Sequence, residues 1–251
     1  MTPLLEVRGL SKRFGGVVAN DAIDLQVSRG EIHALIGPNG AGKTTLVSQL
    51  AGQLASDSGR IVFDGADITA LKTHQRARRG LVRSFQITRL FKSFSVLEHI
   101  ALAVQAVTGS SLGCWRPVAA ERELFERARR LLDEVGLAGR AADPVAELSH
   151  GERRALEVGL TLASRPRLVL LDEPLAGMGP EESAQMEALI RSMRKSGTVV
   201  LIEHDVDAVF RLADRVSVLV GGRIIASGDA DTVRSDPAVI AAYLGDGAGA
   251  V

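Results

Sequence analysis

The chain of 251 residues has a single cysteine, Cys114, so no disulfide framework is available and a reducing compartment is expected. It has no excess of either charge. The 30 basic residues balance the 30 acidic ones, so no global field favours nucleic acid or an anionic membrane. No apolar run reaches about 18 residues, so no segment is expected to span a bilayer. Work at a membrane would then require docking on another protein. The opening MTPLLEVRGL has no basic segment followed by an apolar core, and no secretory signal is expected. Repeats and low-complexity tracts are also missing. What remains is ordinary globular composition, 46% apolar and 24% charged, at a length ample for a real core.

The chain is organised around Glu31 to Ala51, EIHALIGPNGAGKTTLVSQLA. Ile32 to Ile36 reads as a buried strand. The turn Gly37-Pro38-Asn39-Gly40-Ala41-Gly42 follows, then Lys43, Thr44, Thr45 and an apolar helical pattern from Leu46 to Leu50. This is G-x-x-x-x-G-K-[ST] between a strand and a helix, the pattern of a phosphate-binding loop. Glycines let successive backbone N–H groups turn inward around phosphate oxygens. A helix beginning at about Gly42 aims its N-terminal dipole at the same anion. Lys43 would reach the β- and γ-phosphates, Thr44 would ligate Mg²⁺, and Thr45 would add a hydroxyl contact to a phosphate.

Leu168 to Asp172 is an apolar strand, and Glu173 follows its first carboxylate. A strand covered on both faces releases such carboxylates at its C-terminal edge, where open α/β sheets place ligands. There Asp172 would hold the Mg²⁺ shell through water and Glu173 would act as general base on the attacking water. Val199 to Ile202 is a further core strand, and His204 follows it within reach of a γ-phosphate or of Glu173. Gln86, after a strand read at Leu81 to Phe85, can ligate Mg²⁺ or position water through its amide oxygen. Phe14 is either a strand-end core residue or an aromatic plate for an adenine ring. The basic run from Lys72 to Arg79 reads as a solvated helix face, with a docking role as the alternative.

Leu4 to Val7 and Ile23 to Val27 alternate as half-buried strands, and Ser58 to Phe63 is a strand turned by Asp64-Gly65. From about Val96 to Arg165 the period becomes helical. Val96 to Val107 and Glu121 to Val135 are helices separated by a turn-rich break at Gly109 to Pro117, where Cys114 and Trp115 read as local packing. Leu148-Ser149-His150-Gly151-Glu152 opens another helix. Ser149 and Glu152 have capping-box spacing, and the same helix start is suited to an anion. Val216 to Val220 and Arg223 to Ala226 form a hairpin, and Pro237 to Leu244 is a final helix.

Together these residues resemble the ATP-binding subunit of an ABC transporter over about residues 4–245. Phe14 matches the adenine-stacking aromatic, Gly37 to Thr45 Walker A, Gln86 the Q-loop glutamine, and Leu148 to Glu152 the signature motif. Leu168 to Glu173 matches Walker B with its catalytic glutamate, and His204 the switch histidine. KRFGG, SFQITRLFKSFSVLEHI and VIAAYLG resemble the branched-chain (hydrophobic) amino acid importer group, and residues 108–130 its larger ATP-binding subunit. GERRALEV also resembles the lipopolysaccharide-exporter ATPase, the alternative within the family; a non-transport ABC ATPase is the alternative outside transport. Two positions depart from the pattern: His150 in L-S-H-G-E, and Gly179 where relatives carry Asn or Asp.

The resemblance implies an α/β P-loop fold: a RecA-like parallel-sheet core, an N-terminal antiparallel β subdomain, and a helical subdomain at about 90–165 inserted into a single domain. It implies ATP and Mg²⁺ as ligands. It implies transmembrane permease subunits, a second ATP-binding subunit in a heterodimer or homodimer, indirectly a substrate-binding protein, and no nucleic acid. Its place would be peripheral, at the cytoplasmic face of the inner membrane. ATP would lie between Walker A of one chain and Ser149-His150-Gly151 of the partner.

Overall fold

Strongly apolar runs must be covered on both faces, and three of them set the centre of the structure. They are β3 (Ile32–Ile36), β7 (Leu168–Asp172) and β8 (Thr198–Ile202), and every residue in them is buried. With β6 (Leu81–Arg83), β9 (Arg215–Val220) and β10 (Arg223–Gly228) they form a six-stranded sheet ordered β10-β9-β3-β8-β7-β6. β3 pairs in parallel with β8 and β9, and β7 in parallel with β6 and β8. β10 returns antiparallel to β9 and closes one edge.

β1 (Leu5–Phe14), β2 (Val17–Val27), β4 (Ser58–Phe63) and β5 (Ala66–Asp67) form an antiparallel sheet ordered β2-β1-β4-β5. Asp64 and Gly65 turn β4 into β5 with φ values of 51° and 76°, the left-handed pair that suits a tight hairpin. One buried cluster joins the two sheets and includes Leu5, Leu10, Leu46, Ile61, Phe63, Leu168 and Leu170. Burying each such side chain stabilises the fold by about 1.5–3 kcal/mol. The computed structural model describes residues 2–84, 90–91, 93–108 and 122–244.

The chain divides into two compact units. The first comprises Met1–Arg83, Arg167–Glu173 and Ile190–Val251, and holds both sheets. It also holds α1 (Lys43–Leu50), α2 (Thr73–Arg78), α7 (Val206–Leu212), α8 (Ala230–Ser235) and α9 (Pro237–Leu244). The second comprises Ser84–Pro166 and Pro174–Leu189. It contains α3 (Val96–Thr108), α4 (Arg122–Glu134), α5 (His150–Leu162) and most of α6 (Pro180–Met193). The sequence reading of a helical insertion at about 90–165 left out the 174–189 segment. α4 buries Leu124, Ala128, Leu131 and Leu132 of the stripe that its helical period predicts, whereas Phe125, the fifth residue expected there, is half-buried.

Three local differences have physical causes. β1 and β2 extend well past the expected alternating segments, because they continue as a hairpin to Phe14 and Val17. β6 stops at Arg83 rather than Phe85; Ser84 is outside the strand, and Phe85 lies outside the described residues. The basic run is not a uniformly solvated face. Arg76 is 2% exposed, and its guanidinium donates to the carbonyl oxygens of Gln49 and Leu50 at 2.7 Å, Thr69 at 2.8 Å and Leu71 at 2.9 Å. It thereby satisfies the Leu50 carbonyl at the end of α1 and adds a second donor to Gln49 O, which also accepts from Gly52 N–H at 3.1 Å. Among the described residues no helix is long and apolar enough to cross a membrane.

Candidate functional site

In the sheet unit, the neighbouring strands β3, β8 and β7 point the same way and release three segments at one edge. The loop Gly37–Gly42 leaves β3, His204 follows β8, and Asp172 and Glu173 end β7. Parallel pairing makes this a shared edge: Leu35 and Asp172 both stand opposite Ile202. Residues 37–45, Asp172, Glu173 and His204 are therefore gathered by register, from three distant parts of the chain.

The loop needs its glycines. Gly37 has φ +155°, and a Cβ there would lie 2.0 Å from the Leu219 carbonyl oxygen. Gly42 has φ +104°, and a Cβ would lie 2.2 Å from the Ala19 carbonyl oxygen. Neither position admits a side chain. Two bonds hold the loop from either side: Gly222 N–H donates to Ala41 O at 3.0 Å, and Asn20 Nδ2 donates to Gly42 O at 3.2 Å. Lys43 opens α1 and is buried, with Nζ donating to Gly37 O at 2.5 Å and Pro38 O at 3.0 Å. Burial lowers the Lys43 pKa, and the nearby charges of Glu173 and Asp172 act against that shift. Thr44 is exposed, whereas Thr45 is half-buried.

The carboxylates differ in their surroundings. The Asp172 side chain is 2% exposed and pairs with Arg83 at 2.5 Å. The same guanidinium donates to Ser48 Oγ at 3.1 Å and Gln53 Oε1 at 2.5 Å, and Ser48 Oγ donates to Thr44 O at 2.7 Å. Arg83 thus ties Asp172 to α1. Glu173 is half-buried and has φ 49°, a left-handed backbone that costs a non-glycine residue about 1 kcal/mol or more. Its N–H donates to Ile202 O at 2.9 Å, which fixes the turn out of β7. His204 is 62% exposed, with Nδ1 3.7 Å from Glu203 Oε2. The Phe14 ring is 50% exposed at the end of β1, with Lys12 Nζ 5.7 Å from its centroid. The strand-end core reading of Phe14 is therefore wrong. Gln86 lies outside the described residues.

These donors suit a nucleoside triphosphate with Mg²⁺. A helix start and a buried ammonium favour polyphosphate, and the Thr44 hydroxyl and Asp172 carboxylate are the hard oxygens that Mg²⁺ prefers. Among the described residues no three His, Cys, Asp or Glu side chains form a metal cluster. A cation here would take its remaining ligands from phosphate and water.

The helical unit carries the second set of expected residues. Ser149 caps α5: its Oγ accepts from Glu152 N–H at 3.2 Å, and Glu152 Oε2 accepts from Ser149 N–H at 2.8 Å. Glu152 also meets Arg140 at 3.2 Å. His150 is exposed, with Nε2 3.2 Å from Ala176 O. Ser149 Oγ and Gly151 N–H both donate to Glu182 Oε1, at 2.9 and 3.1 Å. Sequence reasoning missed Arg83 and Glu182. The available signals were weak: a charged residue closing a strand, and an acid in the first turn after Gly179-Pro180.

Residues 20–176 match the family model described as ABC transporter, and residues 223–249 that of the branched-chain amino acid ATP-binding cassette transporter. The chain is 39% identical to the high-affinity branched-chain amino acid transport ATP-binding protein BraF of Pseudomonas aeruginosa, across 97% of this chain and 98% of that one. It is 38% identical to the corresponding protein LivG of Escherichia coli K12 over the same shares. It also superposes on a solved ATP-binding cassette of an ABC transporter in its ADP conformation. The TM-score is 0.86 and the identity 30%, over 98% of this chain and 100% of that one. Glycine loop, adjoining carboxylates, strand order and near full-length likeness agree: the chain belongs to the ABC transporter family, on the branch that holds the branched-chain amino acid transport ATP-binding proteins.

Proposed function

We propose that this chain is the ATP-binding and hydrolysing subunit of an ABC importer for branched-chain or other hydrophobic amino acids. The observation that carries the ATPase reading is the shared edge of β3, β8 and β7, where an anion-binding loop adjoins two carboxylates. The cargo class rests on the names of the full-length relatives. Phe14 would stack on the adenine. Lys43, the loop N–H groups and Thr45 would hold the phosphates. Thr44, Asp172 and Gln86 would hold Mg²⁺, which when bound neutralises phosphate charge. Glu173 would take a proton from water as its oxygen attacks the γ-phosphorus and the bond to the β-phosphate oxygen breaks. His204 would orient that water or touch the γ-phosphate.

Ser149, His150, Gly151 and the adjoining Glu152 would face the nucleotide of a second ATP-binding chain, in a heterodimer or homodimer. Closure on ATP and release on hydrolysis would gate the transporter. Permease subunits would hold the assembly at the cytoplasmic face of the membrane, and a substrate-binding protein would deliver cargo to them.

The test uses Glu173→Gln. It should keep ATP binding and lose about 100-fold or more in turnover. Turnover within a few-fold of wild type overturns the role of Glu173. With ATP, the same variant should pull two permease-type subunits and a second ATPase from native membranes. Capture of lipopolysaccharide-export components, or of ribosomal or DNA-repair proteins, would overturn the importer reading.

A further inference from the structure

The donors at the start of α5 already hold an internal anion. Ser149 Oγ donates to Glu182 Oε1 at 2.9 Å, and Gly151 N–H donates to the same oxygen at 3.1 Å. Each donor has one proton to give. The Ser149 hydroxyl is further fixed because its oxygen accepts from Glu152 N–H. A phosphate oxygen cannot take either proton while Glu182 keeps it.

The fit is built rather than incidental. A Cβ on Gly151 would come within 2.7 Å of the Glu182 carboxyl carbon, so glycine at that position makes room for the carboxylate. Glu182 sits in the first turn of α6, and Gly179 N–H also donates to it. Hydrogen bonds from Ser149 and Gly151 hold its pKa below the usual glutamate range, so the side chain is an anion at neutral pH. The internal anion therefore links the start of α5 to the segment that follows Glu173.

We infer that Glu182 is a built-in competitor for the nucleotide of the second chain: its carboxylate occupies the Ser149–Gly151 donors and must leave before a γ-phosphate can dock. This rests on the assignment of Ser149 and Gly151 to nucleotide docking. The closed state then forms from the fraction of molecules in which Glu182 has swung away, and the apparent affinity is reduced by that fraction. Removing the charge should make closure easier, whereas a purely structural glutamate would make it harder when lost.

The experiment uses the transporter complex purified from native membranes through a tag on this chain, with steady-state ATPase measured against ATP. Glu182→Gln keeps the shape and an accepting oxygen but not the charge. It should half-saturate at about 3- to 10-fold lower ATP than the unmodified complex, the population gain from exchanging a charge-assisted hydrogen bond for a neutral one. Glu182→Ala should shift in the same direction, which guards against a misfolded glutamine variant. A half-saturating ATP concentration that is unchanged or higher in both variants overturns the inference. Ser149→Ala separates the two failures. If it weakens ATP dependence while both Glu182 variants are silent, docking at Ser149 stands and the competitor falls. If Ser149→Ala is itself silent, the docking assignment falls and the competitor falls with it.

Discussion

Arg76 and Arg83 are two arginines that the sequence leaves looking alike, and the structure gives them different work. Both reach α1 or the loop after it. Arg76 spends its donors on four neutral carbonyl oxygens and acts as a cap. Arg83 spends one on the buried Asp172 carboxylate and the other on Ser48 Oγ and Gln53 Oε1. The difference lies in the acceptors, not in the donors. A guanidinium facing carbonyls satisfies the fold, and one facing a site carboxylate aims the site. Burial lowers the Arg76 pKa to about 10, far above any working pH, so its side chain stays charged.

The comparison predicts opposite phenotypes on truncation. Arg76→Met strands buried carbonyls at the end of α1 and should cost about 3–5 kcal/mol in urea unfolding. Its kcat, measured where the protein is still folded, should stay within about twofold of wild type. A stability loss below about 1 kcal/mol would show that water replaces the guanidinium and would end the capping account. Arg83→Met should cost less stability, about 2–3 kcal/mol, because Asp172 retains the charge of Lys43 nearby. It should instead lose at least about tenfold in kcat, since a carboxylate free to turn no longer holds its place at the end of β7. If Arg83→Met lowers stability and leaves kcat intact, the two arginines are equivalent and the distinction fails.

The same contrast explains what was legible beforehand. The glycine loop, the capping box of α5 and the apolar strands are local: spacing along the chain and backbone physics decide them. β4 and α9 were readable to the residue for that reason, because turn residues and a helix-starting proline mark their ends. Partners from distant segments were not legible. Nothing in LVRSFQ says that Arg83 will meet Asp172, because β6 and β7 pair in the sheet although the helical unit separates them in sequence. Nothing in GPEES says that Glu182 will reach Ser149. Arg76 was misread because a basic run is usually solvated, and the carbonyls at the end of α1 that draw it inward belong to another segment. The exposure of Phe14 needed the full length of the β1–β2 hairpin, which outran its alternating pattern.

The smallest expected effect tests whether Arg76 is a cap or half of an ion pair. Asp67 is the acid whose charge acts on Arg76, but its own bonds lie elsewhere. Its carboxylate accepts from Thr69 Oγ1 at 2.7 Å, Thr69 N–H at 2.8 Å and Arg60 Nε at 2.6 Å, and these hold its pKa down to about 2. A depressed carboxylate contributes stability above its unfolded pKa of about 3.9, and that contribution is lost as pH falls through the folded value. Asp67→Asn should therefore be slightly less stable than wild type above about pH 4 in thermal unfolding, with the curves converging near pH 2. The effect is small because the group is exposed and screened by solvent. In a double-mutant cycle at pH 7, Asp67→Asn and Arg76→Met should couple by no more than about 0.5 kcal/mol, because both bond Thr69 but not each other. Stronger coupling would mean that the Asp67 charge, rather than the carbonyls, holds Arg76 in place, and the contrast with Arg83 would reduce to two ion pairs of different burial.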